Sequence, residues 1–355
     1  MTRTLSDAVW SEQGTTPDAI EAALRELLIQ RHAENEKYVP ARVLNMIAFV
    51  DREWSGEIAN RLRGVGRYHA SRMVVLAYEP RRQRLDARVT IASEGDPEAG
   101  ELALLRETVV VELGEHHLDD LLTIAAPLVV TDLPTLLWSP HGHHEVVEEL
   151  LALSQAVLVD SVEEPIAGEA LERACALSRQ AYVVDLAWLR STPWRERVAA
   201  SFDPPWLRRE LRTITSVTVR HHPASTVAAM LLVGWLASRL QWSTGPLVSN
   251  GGELVGKAHA SRQDVALRLE AAPELQVPGL GGVTLEMASG RRLRLDRGTG
   301  GLHARSRDPK GVEREWTIPG ASRGETRVLG EGIRQALLRD PTYVPALKAA
   351  QAMLS

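Results

Sequence analysis

Residues whose types could do chemistry fall in three places along the chain. The first is HGHHE, His141 to Glu145, directly after the apolar run LPTLLW. Neutral imidazoles are good zinc ligands, and His141 with His143 has the His-x-His spacing that several metal-dependent hydrolases use. Glu145 and Val146 follow where such an enzyme would carry an Asp-His pair, and no second His/Asp cluster completes a shell. No metal is expected on this reading, and the histidines serve first as a polar loop cap. The adjacent His221 and His222 end a strand-like run, where successive side chains point to opposite faces and cannot share one ion.

The second place is a set of predicted strand ends. Asp132, Trp138 and His141 flank one strand, Asp160 and Ser161 close the next, and Asp185 closes a third. Ligands gather outside the carboxyl ends of parallel strands, so these six residues define a candidate ligand cleft. Acidic residues in such positions also cap helices, and that structural use competes with the functional one.

The third place is the segment from Leu186 to Arg212. The chain holds nine tryptophans against two phenylalanines, and this stretch combines three of the tryptophans with several arginines and three prolines. Trp and Arg lead the residue types that anchor protein interfaces. Trp188, Arg190, Pro193, Trp194, Arg195 and Trp206 are therefore candidates for contact with a partner protein, with inter-domain packing as the alternative use. Pro193 suits the first position of a helix, which would put Trp194 and Arg195 in an exposed first turn and leave Val198 and Phe202 to face the core.

Little else suggests catalysis. There is no Gly-x-Ser-x-Gly elbow, Walker sequence or Gly-x-Gly-x-x-Gly, and the lone cysteine, Cys175, lies in an amphipathic helical stretch where a small buried hydrophobe is the common role. Lysines number only four, Lys37, Lys257, Lys310 and Lys348, which leaves few candidates for Schiff-base or phosphate-loop chemistry. Neither a catalytic residue nor a cofactor is assigned.

The elements that must position these groups change character along the chain. Thr16 and Pro17 start a helix whose apolar face is Ile20, Ala23, Leu24, Leu27 and Leu28. A second helix is predicted over about 41–62, burying Val43, Ile47, Val50, Trp54 and Ile58. Short β-branched runs then read as strands at 72–78, 87–92 and 107–113. Further runs at 133–138, 156–160, 182–186 and 215–219 alternate with helical segments near 145–153, 167–180 and 194–212, and an apolar helix follows over 225–240. Such alternation implies an α/β domain: a mixed sheet with parallel strands and covering helices. After Trp242 a turn-rich stretch leads to alternating runs at 264–271, 283–287, 292–295 and 313–318, then to a helix opened by Asp340 and Pro341. The expected division is an α/β domain over 1–242 and a smaller antiparallel β-rich domain with terminal helices over 243–355.

A formal charge of −5 argues against a dedicated nucleic-acid binder. The most apolar helical stretch, Ser225 to Ser238, is shorter than the roughly 20 residues that span a bilayer, so it reads as a core helix and no membrane contact is expected. With one cysteine and no secretion-type leader in the first residues, the cytoplasm is the expected compartment.

The stretch VDLAWLRSTPWRERVAASFD (184–203) resembles the signature of the glucose-6-phosphate dehydrogenase assembly protein family, OpcA. SRMVVL (71–76), TDLPTLLW (131–138), VLVDS (157–161) and GWLASRLQW (234–242) are similar to family stretches in the same order. The resemblance implies a non-catalytic effector that binds glucose-6-phosphate dehydrogenase, favours its active oligomer and so supports NADPH production by the oxidative pentose phosphate pathway. The alternative open from the residues alone is a sugar-phosphate or other metabolite sensor using the strand-end cleft near Asp160 and Asp185.

Overall fold

The computed structural model describes residues 7–40, 42–66, 70–93, 103–261, 263–319 and 325–354. Its first part runs β1 (Ala8–Glu12), α1 (Pro17–Glu34), β2 (Tyr38–Pro40), β3 (Leu44–Asp51), α2 (Ser55–Gly66), β4 (Ser71–Tyr78), β5 (Asp86–Ser93) and β6 (Ala103–Leu113). It continues with α3 (Leu121–Ala125), β7 (Thr135–Trp138), α4 (His144–Leu150), β8 (Ala156–Val159), α5 (Ala167–Leu177) and β9 (Tyr182–Asp185). Thr16 caps α1 as its sequence position implies, its hydroxyl accepting from the Ala19 N–H at 3.3 Å with Pro17 in the first turn.

These strands form one sheet in the order β1-β5-β6-β4-β3-β7-β8-β9, with β2 also on β6. β4 pairs parallel with both β6 and β3, β3 with β7, and β7 with β8, while β5 and β1 extend the far side antiparallel. Counted from β3, the stretch β6-β4-β3-β7-β8-β9 has the 3-2-1-4-5-6 order of a doubly wound α/β sheet, whose topological switch point lies between β3 and β7. Asn45, fully buried, ties those two strands together. Its side-chain amide donates to the Val130 carbonyl at 2.9 Å and to the Thr135 hydroxyl at 3.2 Å, and its Oδ1 accepts from the Val130 N–H at 2.9 Å.

The helix expected over 41–62 is instead β3 followed by α2. Seven consecutive residues of β3, Leu44 to Val50, are buried. A central parallel strand covered on both faces is a continuous apolar run, which periodicity alone does not separate from a buried helix. Val43 and Trp54, expected in the core, are exposed, whereas Ile47, Val50 and Ile58 are buried.

The second part contains α6 (Leu186–Arg190), α7 (Thr192–Ala200), α8 (Pro205–Arg208), β10 (Ile214–His221), α9 (Thr226–Leu240), β11 (Ser243–Thr244), β12 (Val248–Asn250), β13 (Glu253–Ala260) and β14 (Gln263–Ala271). β15 (Leu280–Met287), β16 (Arg292–Gly298), β17 (Gly301–Arg307), β18 (Glu313–Pro319), α10 (Glu325–Leu338) and α11 (Tyr343–Gln351) complete it. The sheet order is β11-β13-β14-β10-β15-β16-β17-β18, with β12 on β13. Pairing is antiparallel throughout except between β10 and β14, which are joined through the α9 crossover. Alternate residues such as Val265, Leu267 and Leu269 on β14 or Val283, Leu285 and Met287 on β15 are buried, which gives one dry face. α9 is apolar on nearly every side, and α11 packs along it. By length and composition Pro223–Leu240 could cross a membrane, but most of that window is buried in the fold, as a core helix requires.

The chain divides into two compact units, Met1–Val159 with Gln180–Val184 and Leu329–Leu337, and Asp160–Arg179 with Asp185–Val328 and Leu338–Ser355. The division expected at 242/243 does not match these units. That division puts β10 and α9 with the first domain, whereas β10 lies in the middle of the second sheet, hydrogen-bonded to β14 on one side and β15 on the other. A β10 run followed by a helix has the local look of one more β/α repeat, and only the pairing partners reveal the change of sheet.

Candidate functional site

In the first unit, the carboxyl ends of β3, β4 and β7 bring together Asp51, Tyr78 and Trp138, and the loop after β7 adds His141 and His143. His143 Nε2 lies 3.0 Å from Asp51 Oδ1, and its Nδ1 is 3.8 Å from Glu145 Oε1. The ring stands edge-on to Phe49 and Tyr78, with centroids 4.9 and 5.6 Å away. His141 Nδ1 is 3.9 Å from Asp51 Oδ2, and the Trp54 ring lies 5.9 Å from the His141 ring. Burial lowers the His141 pKa, against the pull of Asp51. Asp51 thus takes one ring nitrogen of His143, and Glu145 lies beyond hydrogen-bond reach of the other.

This is the place where a doubly wound sheet holds a dinucleotide, through a glycine-rich turn that lets backbone N–H groups at a helix N-terminus meet the pyrophosphate. Here Asp51 is followed by a single 3-10 turn, Arg52–Trp54, and then by α2, with no Gly-x-Gly between. Asp51, Glu53 and Glu57 outnumber Arg52 around that turn, and Arg52 is paired with Glu79 and Glu112, so the local charge does not favour a phosphate. Among the described residues no group of three or more His, Cys, Asp or Glu side chains is disposed to hold a metal ion.

The remaining members of the candidate cleft are not gathered at this point. Asp132 is exposed ahead of β7, at the opposite end of that strand from Trp138. Asp160, Ser161 and Asp185 belong to the second unit, where they form a closed cluster instead of a cleft. Asp185, 1% exposed, accepts four hydrogen bonds: from the Ser161 hydroxyl at 2.6 Å and N–H at 3.2 Å, from the Ala187 N–H at 2.9 Å, and from the Tyr343 hydroxyl at 3.0 Å. Burial raises its pKa, and the Ser161 and Ala187 donors oppose that shift. Every lone-pair direction is used, and the bond to Ala187 is the N-cap of α6. Asp160 pairs with Arg190 through both carboxylate oxygens, at 2.7 and 2.8 Å.

The Trp/Arg segment is largely core. Trp188, 2% exposed, donates from its indole N–H to Asp340 at 2.8 Å and lies 5.5 Å from the Tyr343 ring. The Arg195 guanidinium sits 3.4 Å above the Trp188 ring centroid and donates to the Trp188 carbonyl at 2.6 Å, to the Ser191 hydroxyl and to the Thr192 hydroxyl at 3.0 Å. Desolvation lowers the Arg195 pKa to about 9. Pro193 and Trp194 are buried with it, so the first turn of α7 expected at the surface faces inward. The spacing carried this signal: Trp194, Val198 and Phe202 recur every four residues from α7 into the turn after it, and all three are buried. Asp340 and Tyr343, the partners that complete the arrangement, lie some 150 residues away in sequence, and nothing local marked them. Of the six candidates Arg190 is half-buried, and Trp206 alone is exposed.

The fold and these clusters define a two-unit α/β protein whose doubly wound sheet carries a histidine–carboxylate pair in place of a phosphate cradle. Residues 63–176 match the family described as glucose-6-phosphate dehydrogenase subunit N-terminal domain, and residues 181–347 match its C-terminal domain. The chain belongs to this family, OpcA. Among curated proteins it is similar to an OxPP cycle protein OpcA of Nostoc punctiforme, 31% identical over 143 residues that make up 39% of this chain and 30% of the relative. The corresponding protein of Synechocystis sp. is 29% identical over 124 residues, 34% of this chain and 26% of that one. The matched regions thus span about a third or less of these relatives. Among solved structures, the WlbA dehydrogenase of Thermus thermophilus superposes with a TM-score of 0.43 at 15% identity, over 88% of this chain and 95% of that one, too loosely to bear on function.

Proposed function

We propose that the chain is a non-catalytic partner of glucose-6-phosphate dehydrogenase, which it binds in the cytoplasm and shifts toward an active assembled state, so supporting NADPH production by the oxidative pentose phosphate pathway. The observation that carries this reading is the match to both domains of a family described as a subunit of that dehydrogenase. The switch point supports the non-catalytic part, because the turn after β3 carries no Gly-x-Gly cradle and His143 is bound to Asp51. The closed Asp185 cluster leaves no strand-end cleft there for a metabolite, which weighs against the sensor alternative.

An activator must bind the active state more tightly than the inactive one, since equal affinity shifts no equilibrium. A tenfold shift needs about 1.4 kcal/mol of difference, within reach of one or two interface contacts. The test is to mix the purified chain with the dehydrogenase, following oligomer size by light scattering and rate by NADPH formation. A larger assembly with a raised rate, and no turnover by the chain alone, is expected. No complex, or NADPH formed by the chain without the dehydrogenase, would refute the reading.

A further inference from the structure

The Trp/Arg segment splits in two on folding. Up to Phe202 its large side chains are spent on the core, and the stretch that follows is not. Trp206 is 72% exposed, more than any other of the nine tryptophans. It sits on α8, a single turn entered through Pro204 and Pro205, and the 3-10 turn Glu210–Thr213 then leads straight into β10 in the middle of the second sheet. The two prolines restrict the backbone ahead of the indole and the sheet anchors the chain behind it, so little conformational entropy is lost when Trp206 is covered.

Positive charge gathers in sequence beside this indole. Arg208, Arg209 and Arg212 are exposed within six residues of it, and none makes an ion pair among the described residues; Arg208 donates only to the Asp203 carbonyl, at 3.0 Å. Other exposed arginines do pair, as Arg25 does with Glu21 and Arg268 with Glu253. Two acids lie close to Arg208, Arg209 and Arg212 in sequence: Asp203 is exposed, and Glu210 is engaged by the Thr213 and Ser289 hydroxyls at 3.2 and 2.8 Å. Three cations that form no ion pair among the described residues thus lie within six residues of the most exposed tryptophan of a chain whose net charge is −5.

We infer that this knob docks an acidic protein surface with an apolar recess: Trp206 fills the recess, and Arg208, Arg209 and Arg212 meet carboxylates on its rim. The inference rests on the proposed function, which makes the dehydrogenase the owner of that surface. An exposed tryptophan with three arginines beside it in sequence has the composition of an interface hot spot. A membrane-lying element would need a long amphipathic stripe, and α8 has four residues. A nucleic-acid site would need a basic face extending well beyond three residues.

The experiment titrates the dehydrogenase with full-length wild type, Trp206→Ala and Arg209→Glu/Arg212→Glu. Trp206→Ala should weaken binding about thirtyfold and the double reversal tenfold or more, with the thermal midpoints of both variants unchanged. Wild-type affinity should fall with added salt more steeply than that of the double variant. If wild type binds and both variants bind equally well, the knob is refuted and the functional reading stands. If wild type does not bind at all, both fail together. A marked fall in the thermal midpoint of Trp206→Ala would make the residue structural and overturn the assignment. So would loss of wild-type binding to phosphatidylglycerol vesicles or single-stranded RNA in variants that still hold the dehydrogenase normally.

Discussion

Trp194 shows how a residue-scale inference can use a correct rule and reach the wrong face. Pro193 does occupy the start of α7. A first turn is exposed, however, only if nothing packs over it, and here Trp194 is 5% exposed. Trp194→Ala should therefore cost about 3–5 kcal/mol of stability, the usual range for truncating a large buried aromatic. Urea denaturation followed by circular dichroism measures it, and a loss below about 1 kcal/mol would contradict the burial. Per folded molecule, binding to the dehydrogenase should be unchanged. Composition and a family signature mark such a residue as important without saying whether it faces a partner or the core. His141 and Trp138 were legible as strand-exit residues because β7 ends where its apolar run ends. The counter-charge that organises them, Asp51, was hidden inside a stretch read as helix.

Elements were legible where one face is wet and ambiguous where both are dry. The alternating strands β14, β15 and β16 lie where period two places them, whereas the run Met46 to Val50 of β3 is apolar throughout and fits a helix as well as a strand. α9 is the helical counterpart, apolar almost all round, and its contact with α11 depends on one residue. A Cβ at Gly234 would overlap the Ala346 carbonyl oxygen and reach 3.0 Å from the Ala350 backbone nitrogen. Alanine favours a helix by about 1 kcal/mol over glycine, which works against the clash. Both obstructing atoms are backbone and cannot rotate aside, so the helices must part along their length. Overpacking of this kind typically costs about 1–3 kcal/mol, so Gly234→Ala should be a net destabilisation of up to about 2 kcal/mol. A urea midpoint at or above that of wild type would show that α9 and α11 can separate without loss.

At the scale of the whole molecule, the fold class could be read from alternation, but the division of the chain could not, because strand pairing is non-local. Residues 1–242 contain every β/α repeat of the first sheet, which is what makes 242/243 look like a boundary. They also contain β10, whose neighbours β14 and β15 both lie beyond it. A fragment ending at residue 242 would leave both edges of this eight-residue strand unpaired. It would also expose Val217 and Val219, which are fully buried in the intact chain, and strip α11 from α9. Unpaired apolar edges recruit other chains, so this fragment should aggregate on expression. A fragment from Asp160 to the end keeps every pairing of the second sheet, the α9–α11 contact, and Ser161 and Tyr343 on Asp185, and of the strands only the four-residue β9 loses its sheet. It should stay soluble, unfold cooperatively in urea and retain a near-ultraviolet signal from Trp188 stacked under Arg195. The two fragments overlap over 160–242, so the comparison isolates what β10 and α9 require from what merely precedes them. A soluble, cooperatively folded 1–242 fragment would mean that β10 finds adequate partners in the first half of the chain, and the pairing described for it would be wrong.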